Sequence, residues 1–173
     1  VGYGINMLTK KDIFTVKKAK KVPNKTVLVV GAGTGLGKTA LIYDKNYKSY
    51  KPIPSEAGHT DFPAQSKFEL DLINFIKKNK KIKQNISYEQ VLSGQGLSSI
   101  YLFLKQSRKY KKTKYTKEID KNDYSQELIS KYRKSDKTCK ETFKIFKEIY
   151  TKFARNFALD ALAASGVYIA GGI

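Results

Sequence analysis

Apolar and polar positions fall into blocks along this chain, and the blocks predict its elements. Residues 27–30, VLVV, form an unbroken apolar run between Pro23-Asn24 and a cluster of glycines, which predicts a strand. Residues 40–43 and 49–53 flank the turn cluster Asp44-Lys45-Asn46 and predict two further strands. The connections are too short for a crossover, so the three strands are expected to form an antiparallel meander. Ser66 followed by Glu69 is a capping box, and Phe68, Leu72, Phe75 and Ile76 behind it lie on one helical face. A second box, Ser87 with Gln90, predicts a short helix over 89–92. Ser93-Gly94-Gln95-Gly96 is expected to break that helix, before a third helix with the stripe Leu97, Ile100, Tyr101 and Leu104.

Farther along, residues 105–121 are basic and polar and predict a solvated excursion. Ser135 or Asp136 caps the longest helix, whose stripe is Cys139, Phe143, Phe146, Tyr150, Phe153 and Phe157. Small residues over 160–164 are expected to continue it, with Gly166 as the stop and 167–170 as a buried strand. Residues 1–8 read as the end of a helix. No internal repeat and no second domain is visible, so the pattern predicts one α/β domain: a meander, one more strand, and a long helical insertion between strands three and four.

The chemistry concentrates at the end of the first strand. Gly31, Gly33, Gly35 and Gly37 follow VLVV directly, and glycines at this density let backbone N–H groups cup a phosphate. AGTGLGKT, residues 32–39, comes close to a Walker A loop, with Ala32 at the place of its first glycine. A Walker A loop must open a helix, whereas Ala40-Leu41-Ile42-Tyr43 and a turn follow here. The context is strand, glycine loop, strand, so Lys38 and Thr39 lose the Walker roles. The dinucleotide fingerprint fails for the same reason.

Composition changes the picture little. The net charge of +19 raises a nucleic-acid reading, but only Arg108, Arg133 and Arg155 stand among the 34 basic residues. Arginine is the residue that forks onto phosphate and guanine, so a specific nucleic-acid partner is not expected. No apolar run approaches a membrane span, and no signal peptide is visible at the start. Cys139 is the one cysteine, which excludes an internal disulfide and suits a reducing cytoplasm.

Four stretches in order, GAGTGLG at 31–37, SEAGHTDF at 55–62, SYEQVLSGQGL at 87–97 and GVYIAGGI at 166–173, resemble the bacterial-type glucokinases. These are sugar kinases of the actin-like, ribonuclease H-like superfold, and the resemblance covers nearly the whole chain. It implies ATP-dependent phosphorylation of glucose at its 6-hydroxyl, the first step of glycolysis, in the cytoplasm. A non-catalytic sugar sensor of the same fold is the alternative. The resemblance puts Glu56, His59 and Glu89 on the sugar. It puts Gly31, Gly33, Thr34, Gly35, Gly37, Gly94, Gly171 and Gly172 around ATP, with Mg²⁺ held mainly through the ATP phosphates and no metal ligand in the protein. A homodimer is a further expectation.

Two substitutions depart from the family pattern, Ala57 for a glycine and Gln95 for a proline. The family's catalytic aspartate lies in an Asn-Asp pair shortly before the segment that residues 1–8 resemble, and no such pair stands there. That base is therefore expected just before Val1. Residues 1–173 are then the large, sugar- and nucleotide-binding domain, with the small domain and the C-terminal end outside the chain.

Overall fold

The computed structural model describes residues 2–107, 109–122 and 125–173. Its centre is a four-stranded sheet in the order β3-β2-β1-β4. β1 (Val27–Ala32), β2 (Leu36–Asp44) and β3 (Ser49–Ile53) are consecutive and antiparallel, with Val30 opposite Lys38 and Tyr43 opposite Tyr50. β4 (Gly166–Ala170) runs parallel to β1, with Val29 beside Tyr168. A parallel neighbour needs a long crossover, and the helices between β3 and β4 supply it.

Those helices are α1 (Lys67–Lys80), α2 (Gly94–Gln106), α3 (Lys114–Ile119), α4 (Ser125–Lys131) and α5 (Lys137–Asp160). Leu28, Val30 and Ala32 point from β1 to this side, where Leu97, Ile100 and Tyr101 of α2 and Phe146, Ile149 and Phe153 of α5 complete the main core. Each such side chain contributes about 1.5–3 kcal/mol on burial. Val27, Val29 and Leu41 face the other side, covered by Ile5, Tyr50, Tyr168 and Ala170.

Several expectations from the sequence are corrected. Residues 1–8 do not end an α-helix: Gly2–Met7 is a 3₁₀ turn, held to β3 by Asn6, whose amide bonds both the Tyr50 carbonyl (2.8 Å) and N–H (2.7 Å). The second strand starts earlier than its apolar run, because the ladder continues through Gly37, Lys38 and Thr39. The 89–92 helix does not form. The segment closes a single turn, with the Val91 and Leu92 N–H groups both on the Tyr88 carbonyl, before Ser93 caps α2, and Gln90 Oε1 takes the Ser87 N–H. Ser93-Gly94-Gln95-Gly96 does not break a helix but opens α2: the Ser93 hydroxyl accepts the Gly96 N–H. The 105–121 stretch is not a plain loop, because α3 lies in it with Thr116 and Ile119 buried. α5 ends at Asp160, where Leu162 takes a left-handed φ of 45°, so residues 161–165 do not extend it. β4 is not buried throughout; it alternates, and Ile169 is 60% exposed. Asp136, rather than Ser135, caps α5. No helix among the described residues is long and apolar enough to cross a membrane.

Candidate active site

One end of the sheet gathers nearly all of the chemistry read from the sequence. Between β1 and β2 the chain turns tightly, with the Gly33 N–H donating to the Gly35 carbonyl at 2.8 Å. Thr34 is exposed at the tip. Among the described residues no acceptor takes the N–H of Thr34 or Gly35, and a Cβ built on Gly33 would meet nothing within 4 Å. Two free backbone donors at an open glycine turn fit a phosphate.

Two other segments are stitched to that turn. After β3 the chain forms a 3₁₀ turn, Ala57–His59, in which His59 N–H donates to Glu56. Gly58 packs so tightly under β2 that an added Cβ would lie 2.2 Å from the Leu36 carbonyl oxygen. Ala57, where the family pattern has glycine, is buried and needs no positive φ, so the methyl is accommodated. The second segment is 86–94. It pairs with the first through Phe62 N–H to Ile86 (2.7 Å), Tyr88 N–H to Thr60 (3.0 Å) and Glu89 N–H to Gly58 (2.8 Å). It reaches the glycine turn through Gly94 N–H, which donates to the Gly33 carbonyl at 2.9 Å.

This stitching brings Glu56, His59 and Glu89 together. His59 Nε2 lies 3.7 Å from Glu56 Oε2, and His59 Nδ1 lies 3.9 Å from Glu89 Oε1. Both distances exceed a hydrogen bond, so the imidazole and the facing carboxylate oxygens keep their capacity for a ligand. The side chains are 89%, 61% and 32% exposed in that order, which leaves all three reachable. An imidazole flanked by two carboxylates can match the hydroxyls of a sugar. Gly171 and Gly172 close the same end of the sheet beyond β4. Gly171 has φ +112°, and a Cβ there would stand 2.1 Å from the Ala32 carbonyl oxygen, so only glycine fits.

Two features escaped the sequence reading. Gly58 was passed over although it has no room for a side chain. Glu89 was expected to act on the sugar alone, yet its Oε2 also accepts the Leu36 N–H at 2.8 Å. No pattern in the sequence signals such a contact, since the partners are 53 residues apart. The Lys38 ammonium lies 5.0 Å from the centre of the Phe157 ring and 3.7 Å from Asp160 on α5. The chain's Asn-Asp pair, Asn122-Asp123, stands between α3 and α4, and Asp123 is outside the described residues.

The family model described as Glucokinase matches residues 1–173. A glucokinase from Trichormus variabilis is 34% identical over 186 residues, covering 100% of this chain and 54% of that protein. One from Shigella sonnei is 31% identical over 174 residues, covering 100% and 50%. The crystal structure of a glucokinase from an Antarctic psychrotroph superposes with a TM-score of 0.76 at 23% identity, over 99% of this chain and 50% of that one. The Balamuthia mandrillaris glucokinase, solved in complex with glucose, gives a TM-score of 0.68 at 20% identity, over 87% and 40%. The chain spans about half the length of the curated relatives it matches.

Proposed function

Because the chain belongs to the glucokinase family, we propose that it forms the sugar- and nucleotide-binding part of a kinase that transfers a phosphoryl group from ATP to the 6-hydroxyl of glucose. The observation that carries this reading is the meeting of Glu56, His59 and Glu89 beside the open turn at Gly33–Gly35. The sheet, with three antiparallel strands and one parallel neighbour, is read as the core of a ribonuclease H-like domain.

In this reading Glu56 and Glu89 accept hydrogen bonds from sugar hydroxyls, and His59 orients one between them. Each hydroxyl left unmatched costs about 1–3 kcal/mol, which is how such a pocket selects its sugar. The N–H groups of Thr34 and Gly35, with the Thr34 hydroxyl, hold the phosphates of ATP. Gly94 and Gly33 keep that turn in place, and Gly171 and Gly172 leave room for the adenosine. ATP, with Mg²⁺ carried on its phosphates, supplies the phosphoryl group. The base that takes the proton of the 6-hydroxyl is an aspartate outside this chain, and the partner domain closes over the site to exclude water. The protein works in the cytoplasm.

A coupled assay of the intact protein over a panel of hexoses tests this reading. Turnover of glucose with ATP is expected. Glucose binding with no turnover of any hexose would replace the kinase by a sugar sensor of the same fold.

A further inference from the structure

The helical insertion holds two adjoining cavities that lie outside the glycine turn and the 56–59 segment. One, of about 340 Å³, is lined by Lys105, Tyr110, Lys111, Lys112, Thr116 and Thr138. The other, also about 340 Å³, is lined by Tyr101, Asp120 and Ser125 among others and shares Lys105, so the two meet at that lysine. Each volume exceeds that of a phosphate ion several times over, so a small organic body also fits.

Charge at the first cavity is unbalanced. Lys105 is paired with Asp120, but among the described residues neither Lys111 nor Lys112 has an ion pair. Asp136, next to this wall, accepts the Thr113 hydroxyl at 2.7 Å and the Cys139 N–H at 3.0 Å, which leaves two lysines against one carboxylate among the described residues. The floor is made of hydroxyls. Thr116 and Thr138 are buried. Behind Thr116 the Tyr101 hydroxyl, on a side chain 1% exposed, has no well-formed hydrogen bond. Burial pushes the Tyr101 phenol up, so it keeps its proton and stays a donor.

We propose that this cavity is a second anion site, which takes a phosphate group, free or as a small ester, on Lys105, Lys111 and Lys112, with the Thr138 hydroxyl as a further donor. Ammonium groups and an O–H donor are the groups that a phosphate oxygen accepts from.

Calorimetric titration of the intact protein at fixed ionic strength, with inorganic phosphate and separately with glycerol 3-phosphate, tests this. Saturable binding is expected, weakened about tenfold or more in Lys111→Gln/Lys112→Gln, where two charge-assisted contacts are lost. The control Lys77→Gln/Lys78→Gln removes the same charge at the end of α1 and should bind as the parent does. Tighter binding of the ester identifies the ester as the ligand, and equal binding identifies free phosphate; both support the site. An equal loss in the two double variants, or no saturable binding of either probe, overturns it. Both double variants should melt near the parent temperature, since among the described residues none of the four lysines has an ion pair.

Discussion

The Glu89 carboxylate ties the two halves of the site together: its Oε2 accepts the Leu36 N–H at 2.8 Å, just past the glycine turn, while its Oε1 faces His59 at 3.9 Å. A Cβ on Gly35 would stand 2.7 Å from the same Oε2, so turn and carboxylate are fitted to each other. One side chain thus joins the glycine turn to the cluster of Glu56 and His59.

That double role predicts a double defect. Glu89→Gln keeps the shape but replaces a charged acceptor by a neutral one, at about 1.5–3 kcal/mol per lost charge-assisted bond. KM should rise roughly tenfold or more for glucose and rise for ATP as well. Initial rates with each substrate varied separately check this; an unchanged ATP dependence would mean that Leu36 does not need the carboxylate.

Gly58 and Gly33 should respond oppositely to a methyl group. Gly58→Ala drives Cβ to 2.2 Å from the Leu36 oxygen, and overpacking of this kind costs about 1–3 kcal/mol. At roughly 2–4 °C per kcal/mol, a fall in Tm of several degrees should be visible by calorimetry. Gly33→Ala meets open space and should leave Tm nearly unchanged while weakening ATP, because the methyl sits where the phosphate approaches. A stable Gly58→Ala protein would show that the 56–59 turn is not pinned to β2.

Lys38 should matter for stability and not for nucleotide. Its side chain is 10% exposed, lying against Phe157 and near Asp160 at the end of α5. The ring contact and the partly exposed pair together amount to about 1 kcal/mol. Lys38→Ala should lower Tm by a few degrees and leave the KM for ATP within about twofold. Loss of turnover with an unchanged Tm would restore the Walker reading of the loop.

Much of this organisation was legible in the sequence. Ser66 and Asp136 cap their helices as the motifs predict, the stripe from Cys139 to Phe157 packs the core, and the limits of β3 match the 49–53 run. What failed has physical causes. The 89–92 segment carries a capping box, but it stops after a single turn because Ser93 caps α2 directly behind it. Glu69 similarly leaves its expected partner: its Oε2 takes the Gln65 N–H and its Oε1 the Lys152 ammonium, each at 2.6 Å. α3 hid in a basic stretch because two buried residues, Thr116 and Ile119, are too few to set a period. The site was legible as three residues in two motifs; that Glu89 also holds the glycine turn was not.

Alkaline pH should weaken the fold through buried acids. Burial pushes the Cys139 thiol up to about 12 from 9.0 and the Tyr150 phenol up to about 12 from 10.0. Unfolded, each ionises at its ordinary value; folded, it stays neutral. The stability they lend is complete below pH 9 and is lost as pH climbs from 9 towards 12. Urea midpoints should fall over this range, and less steeply in Cys139→Ala. Native Cys139 should also resist maleimide at pH 8 until urea is added. Equal slopes for parent and variant, or prompt labelling, would contradict the buried, neutral thiol.

Glu56, His59 and Glu89 are proposed to hold the sugar beside a backbone phosphate turn. Glu56 tests it most directly, because it is the most exposed of the three and among the described residues its side chain makes no hydrogen bond, so changing its carboxylate should not disturb the fold. In the intact protein, the glucose and ATP dependences of Glu56→Gln should be measured against the parent. The account predicts a rise of roughly ten- to a hundredfold in the KM for glucose, with the KM for ATP unchanged. A variant that phosphorylates glucose with the parent's KM would contradict it.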